Sequence, residues 1–216
     1  VAWAQSFEEG VAAYDRGDYQ TAYEVFRAFA EEGYANAQLN VGIMYDNGQG
    51  VSENHTKAAR WYRAAAEQGN ALAQSNIGIL YLKGEGIPQD FSKAARWHRA
   101  AAEQGQTQAQ FNIAIMYDKG EGVPQDFSKA AHWYRAAAGQ DHVNAQFNLG
   151  VMYANGEGVI QDNITSHMWF NIASANGDQE ARERRSVVAG RMSRDAIAEA
   201  QSRARTCMES GYQDCN

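Results

Sequence analysis

The stretch Ala35–Tyr45, Ala-Asn-Ala-Gln-Leu-Asn-Val-Gly-Ile-Met-Tyr, decides the fold because the chain keeps returning to it. The pattern is Ala-x-Ala-Gln-x-Asn-x-Gly-x-x-Tyr, then Gly-x-Gly, then Lys-Ala-Ala-x-Trp-Tyr-Arg-Ala-Ala-Ala, completed in the first copy by Gly48-Gln49-Gly50 and Lys57–Ala66. Ala37, Ala73, Ala109 and Ala145 are each 36 residues apart, as are Tyr45, Tyr81, Tyr117 and Tyr153. A fixed period of this size marks an array in which one supersecondary unit stacks on the next. Inside the unit, Ala37, Val41, Met44 and Tyr45 fall within about 100° of arc at 3.6 residues per turn, so the segment is a helix with one buried face.

The rest of the unit follows from local chemistry. Gly42, Gly78 and Gly150 each weaken a helix by about 1 kcal/mol relative to Ala, and the close approach of a partner helix is the compensating reason; Ala114 shows that a methyl is tolerated there. In the connectors Gly48-Gln49-Gly50, Gly84-Glu85-Gly86, Gly120-Glu121-Gly122 and Gly156-Glu157-Gly158, the first glycine suits a left-handed helix end and the second a tight turn. Val51, Ile87, Val123 and Val159 then point into the core, and Pro88 and Pro124 keep the chain extended. Asn54, Asp90, Asp126 and Asp162 stand at N-cap positions of a second helix, whose core positions in the first copy are Ala58, Trp61, Tyr62, Ala65 and Ala66. Gly33, Gly69, Gly105 and Gly177 end these second helices; Asp141 breaks the series, and Gly139 takes over its stop. These glycines follow helices rather than strands, which excludes a dinucleotide-binding loop.

The array runs from 35 to 178. Residues 5–34 form a tighter opening helix pair, since Gly10 and Gly42 are 32 apart. After Gly177 the repeat ends, and 179–216 read as two capping helices, Gln179–Met192 and Arg194–Met208 with Ser193 as N-cap, followed by a tail. The expectation is one continuous solenoid.

The stretch Ala145–Val159, Ala-Gln-Phe-Asn-Leu-Gly-Val-Met-Tyr-Ala-Asn-Gly-Glu-Gly-Val, resembles the Sel1-like repeat family, a relative of the tetratricopeptide repeat. The resemblance covers Ala35–Asp178 strongly and Phe7–Tyr34 in a weaker, tetratricopeptide-like form. It implies an all-α fold, a right-handed α-solenoid of antiparallel helix pairs that acts as an adaptor for other proteins, and bacterial members are often exported. The departures are Ala114 for the helix glycine, His98 for the second-helix tyrosine, and Met168-Trp169-Phe170 in a last unit without the Lys-Ala-Ala run.

Composition bounds the partners. With 19 Lys+Arg against 26 Asp+Glu the net charge is −7, which argues against nucleic acid. No apolar run approaches the ~20 residues of a membrane span. Ala2-Trp3-Ala4 followed by Gln5 has the form of a secretory cleavage site; the alternative is a few stray residues before the first helix. The two cysteines, Cys207 and Cys215, favour a disulfide and an oxidising compartment, periplasmic or secreted; the alternative is two free thiols on a tail. Of the histidines His55, His98, His132, His142 and His167, none has zinc-site spacing, and His98 is expected to be half-buried and hydrogen-bonded in place of a tyrosine. No spacing suggests catalysis, a metal or a cofactor. Asn54-His55-Thr56 and Asn163-Ile164-Thr165 are chance matches to a glycosylation acceptor.

The face of the first helices opposite Ala37, Val41 and Tyr45 is the candidate binding surface. It carries Leu39, Ile43 and Asp46; Ser75, Ile79 and Leu82; Phe111, Ile115 and Asp118; and Phe147, Val151 and Ala154. Asn36, Asn47, Lys83, Lys119, Asn144 and Asn155 flank it. By analogy with tetratricopeptide arrays this strip lines a concave groove suited to a protein or peptide segment. The alternative for Ile43, Ile79, Ile115 and Val151 is packing between adjacent first helices; Leu39, Phe111 and Phe147 are expected to be partly exposed. The leading expectation is thus a non-enzymatic interaction module, with a monomer favoured. The competing expectations are a periplasmic cell-wall-active or hydrolytic protein and a self-assembling structural protein.

Overall fold

Apolar stripes of helical period, closed by glycine and opened by Asn or Asp, fold as twelve helices and no strand among the described residues, 6–215, of a computed structural model. The expected Ala-x-Ala cleavage stub lies outside these residues. The chain divides into two compact units, parting between Gln106 and Thr107.

In the first unit α1 (Phe7–Asp15), α2 (Tyr19–Glu31), α3 (Ala35–Asn47), α4 (His55–Glu67), α5 (Ala71–Lys83) and α6 (Phe91–Glu103) each pack on the next. In the second, α7 (Thr107–Lys119), α8 (Phe127–Ala138), α9 (Val143–Asn155) and α10 (Asn163–Ala175) do the same. There α11 (Gln179–Ala189) and α12 (Arg194–Glu209) both pack on α10. The caps hold as the sequence predicts: Asn54, Asp90 and Asp126 accept from the backbone N–H three residues on, Asp162 from that of Ile164, and Ser193 from that of Ala196.

The helix glycines are where ring meets backbone. A Cβ on Gly42 would lie 2.5 Å from the Tyr62 ring, on Gly78 2.8 Å from the His98 ring, and on Gly150 2.9 Å from the Phe170 ring. The second connector glycine serves more than a turn. A Cβ on Gly86 would lie 2.2 Å from the His55 carbonyl carbon, and one on Gly158 2.2 Å from that of Phe127. These two connectors therefore rest directly on the backbone that opens the preceding second helix. Asp141, not Gly139, takes the left-handed conformation (φ 62°) that glycine holds at 33, 69, 105 and 177; Gly139 only caps the helix. A side chain is tolerated there because its carboxylate accepts from Tyr212 Oη at 2.7 Å and Asn176 Nδ2 at 2.8 Å.

The glutamine of the Ala-x-Ala-Gln motif has a role that the periodicity does not reveal. Gln74 is buried and donates to the Ala66 carbonyl at the end of α4, while its own carbonyl accepts from Gln104 at the end of α6. Gln38 and Gln146 donate in the same way to Ala30 and Ala138. Each of these helix-end carbonyls, which also accepts from the backbone N–H of Gly33, Gly69 or Asp141, thereby gains a second donor inside the core. Gln74→Ala removes two side-chain hydrogen bonds, while the Ala66 carbonyl keeps the Gly69 N–H and Gln104 keeps the Ala100 carbonyl, and it should destabilise the protein by about 1–2 kcal/mol. Urea unfolding checks this, and a loss below about 0.5 kcal/mol would mean that the clamp contributes little.

The register of buried positions carries on past Gly177 into the capping helix α11. α11 begins 36 residues after α9, and buried Ala181 and Val188 continue the series of Ala145 and Met152. The arginines and glutamates on its exposed side conceal this continuity in the sequence. Cys207 and Cys215 form a disulfide that returns the tail to α12.

Candidate interaction surface

The predicted strip divides by depth. In the first unit Leu39 is 6% exposed, so the expectation of partial exposure is corrected, and Ser75 at the same position is buried too. Ile43, Ile79, Asp46 and Leu82 are half-buried, and Asn36, Asn47 and Lys83 are exposed. In the second unit Phe111, Ile115, Asp118, Phe147, Val151 and Ala154 are half-buried, with Lys119, Asn144 and Asn155 exposed. The two phenylalanines are partly committed inward: Phe111 stacks on His142 at 4.3 Å and tilts against Tyr134 at 5.9 Å, and Phe147 meets Phe170 at 5.6 Å. Phe147, Val151 and Ala154 also pack against the cluster of Phe170, Ala173, Ala181 and Val188. A bulky residue fits at 111 and 147 because it lies over a second-helix ring.

Asp46 and Asp118 have internal partners. Asp46 accepts from the Tyr62 hydroxyl at 3.2 Å and lies 2.8 Å from His55 Nδ1; Asp118 receives Tyr134 at 3.5 Å. The hydrogen bond to Asp46 holds the His55 ring above its ordinary pKa. Burial and then the charge of Glu157 push Asp118 up. Burial and the nearby carboxylates push the Tyr62 and Tyr134 hydroxyls up, and Asn76 and Asn148 act in the opposite sense. The residues covary within the chain: Tyr62 with Asp46, His98 with Leu82, Tyr134 with Asp118, Phe170 with Ala154. Where the ring bears no hydroxyl, no carboxylate faces it. This pairing was available in the sequence as a column-by-column comparison of the repeats. His98 departs from its expected state, being fully buried with neither ring nitrogen hydrogen-bonded, and burial pushes its pKa down to about 4.

One recess on the strip is well formed. Val11, Tyr14, Phe26, Asn40 and Ile43 line a cavity of about 290 Å³ in the first unit. Phe26 stands where later repeats have Tyr62 and Tyr134, so the ring that lines this cavity beside Asn40 carries no hydroxyl. Of its lining residues only Ile43 was singled out from the sequence; Asn40 carried a signal, since asparagine recurs at 76, 112 and 148. Among the described residues no group of three His, Cys, Asp or Glu is placed to hold a metal, and no helix is long and apolar enough to cross a membrane.

Comparison with known proteins agrees with this geometry. The Sel1 repeat family matches residues 35–70, 71–106, 107–142 and 143–178. A protective antigen of uropathogenic Escherichia coli displaying an SLR fold is 31% identical with a TM-score of 0.82; the match covers 96% of this chain and 49% of that one, so the chain spans about half its length. A Sel1 repeat protein from Oxalobacter formigenes is 29% identical with a TM-score of 0.80, over 98% of this chain and 86% of that one. A sel1 repeat protein from Klebsiella pneumoniae, 19% identical with a TM-score of 0.52 over 85% and 91%, shares the fold. No curated protein matches the chain.

Proposed function

The chain belongs to the Sel1 repeat family, and from that premise we propose that it is a non-enzymatic adaptor that holds a protein or peptide segment on its first helices. Sel1 repeats are generally protein-interaction scaffolds and generally non-catalytic. The observation that carries the proposal is a contrast between neighbouring faces of the first helices. Ala37, Val41 and Met44 are 0% exposed, as stacking demands, whereas Ile43 and Ile79 stay half-exposed in phase on the neighbouring face. The cavity at Ile43 would take an apolar side chain of the segment, and the Asn40 carboxamide would pair with its main chain. In the second unit Phe111, Ile115, Phe147 and Val151, flanked by Lys119, Asn144 and Asn155, offer the same mixture of apolar centre and polar rim. Asn36, Leu82 and Lys83 would border the strip in the first unit.

The double variant Ile43→Ala, Ile79→Ala tests it. The partner that co-purifies from the native host should bind the variant at least roughly tenfold more weakly, with the helical content unchanged. Unaltered affinity would sink the proposal. The Cys207–Cys215 disulfide supports a periplasmic or secreted setting; recovery of the native chain in the cytosol with two alkylatable thiols would contradict it. We favour a monomer as the binding species.

A further inference from the structure

A second site stands apart from the strip, where the fourth repeat departs from the other three. In the first three repeats a lysine covers the tyrosine near the end of the first helix. Lys57 Nζ is 5.0 Å from the centroid of Tyr45, Lys93 5.4 Å from that of Tyr81, and Lys129 5.4 Å from that of Tyr117. Two of these ammonium groups also meet the N-cap carboxylate: Lys93 lies 3.0 Å from Asp90 Oδ2, and Lys129 2.9 Å from Asp126 Oδ2. The fourth repeat retains the ring, Tyr153, and the carboxylate, Asp162, but has Thr165 in place of the lysine. Tyr153 is half-buried, whereas Tyr45, Tyr81 and Tyr117 are 6–9% exposed. A cavity of about 700 Å³ opens at this point, lined by Tyr153, Asp162, Thr165, Trp169 and Ile160 among others.

We propose that this cavity binds the primary ammonium of a lysine side chain presented by a polypeptide partner. The negative face of the Tyr153 ring and the Asp162 carboxylate supply the two contacts that the chain's own lysines use in the second and third repeats. Asp162 is not consumed by capping. It accepts from the Ile164 N–H through Oδ1 and from the Thr165 hydroxyl through Oδ2. Asp90 likewise caps its helix through Oδ1 while its Oδ2 holds Lys93, and each carboxylate oxygen has two acceptor positions. Arg135, which donates to the Tyr153 hydroxyl at 2.8 Å, does not oppose the site: Arg63 donates to Tyr81 at 3.0 Å in the repeat where Lys93 covers that ring. Ile160 is 89% exposed and stands where the second and third repeats have proline; with Trp169 it gives the four-carbon lysine stem an apolar wall. The net charge of −7 favours a cationic partner at long range. None of these residues belongs to the groove strip, so the two readings stand or fall separately.

The test is titration of the full chain with Nα-acetyl-lysine-N-methylamide, followed by NMR through the Trp169 indole. The norleucine analogue, with the apolar stem and no ammonium, is the control. Capped lysine should give saturable shifts that the norleucine analogue does not. Thr165→Lys, which restores the residue of the other repeats, should weaken binding roughly tenfold or more. Asp162→Asn should weaken it several-fold with α10 intact, since Asn54 caps α4 in that way. No saturable shift, equal binding of the norleucine analogue, or unchanged affinity in Thr165→Lys would each overturn the proposal. A partner that binds the Ile43/Ile79 variant poorly but Thr165→Lys normally would overturn this site and leave the groove reading in place.

Discussion

Gly86→Ala should destabilise the protein by about 3–5 kcal/mol, against about 1–2 kcal/mol for Gly84→Ala only two residues away. Both glycines have positive φ, 70° and 74°, so the left-handed strain of an added Cβ is similar. The difference is what that Cβ meets. At Gly84 the nearest atoms are the Gln89 Cβ at 3.2 Å and the Gln89 N at 3.4 Å, so a shift of a few tenths of an ångström in the loop relieves the contact. At Gly86 it is the main chain of α4: His55 C at 2.2 Å and Thr56 N at 2.4 Å. Backbone at a helix start can move only if the connector lifts off, which also breaks the bond from Thr56 Oγ1 to the Gly86 carbonyl at 3.0 Å. Urea unfolding of the two variants gives the comparison. Equal losses would show that the connector glycines serve φ alone.

The second large effect depends on pH. His98 is fully buried and its pKa is pushed down to about 4 from an ordinary 6.5, burial being the cause. The folded form therefore resists protonation in a range where the unfolded chain accepts it. The contribution to stability is fully present above pH 6.5 and is lost as pH falls towards 4, to the extent of about 3 kcal/mol. His98→Phe should abolish that part of the acid sensitivity. It should also stabilise the protein at pH 7 by about 1 kcal/mol, because it removes two unpartnered ring nitrogens. Phe170 already fills this position against Gly150 in the last repeat, so the ring fits. The buffered difference between wild type and variant, followed by thermal unfolding from pH 7.5 to 4, isolates this residue from His142 and His167, which shift in the same direction, and from His55, which shifts in the other. A difference that does not vary with pH would contradict the account.

The helical architecture was legible because stacking imposes the same demand every 36 residues. Ala37, Gly42, Tyr45, Ala58 and Ala65 recur for that reason, and the caps at 54, 90, 126 and 162 follow from the need to satisfy a helix start. What escaped notice were relations between columns. Depth at Leu39 depends on which residues stand opposite it in the neighbouring helices, and a helical wheel treats it as the reverse of Ala37. The Tyr62–Asp46 pair, the glutamine clamp and the lysine over Tyr45, Tyr81 and Tyr117 join positions on different helices, so a single-helix period is blind to them. At His98 the tyrosine column suggests a hydrogen-bonded ring, yet its acceptor column holds Leu82. Continuation of the register into α11 was hidden by charge on one face, while Ala181 and Val188 kept the period on the other.

The binding surface itself is tested most directly by hydrogen exchange of the full chain with and without the partner that co-purifies with it. Slowed exchange is expected in α3 and α5 around Ile43 and Ile79 and in α7 and α9 around Ile115 and Val151, with the exposed faces of the second helices unchanged. Protection confined to α4, α6 and α8, with the first helices exchanging as in the free protein, would contradict it.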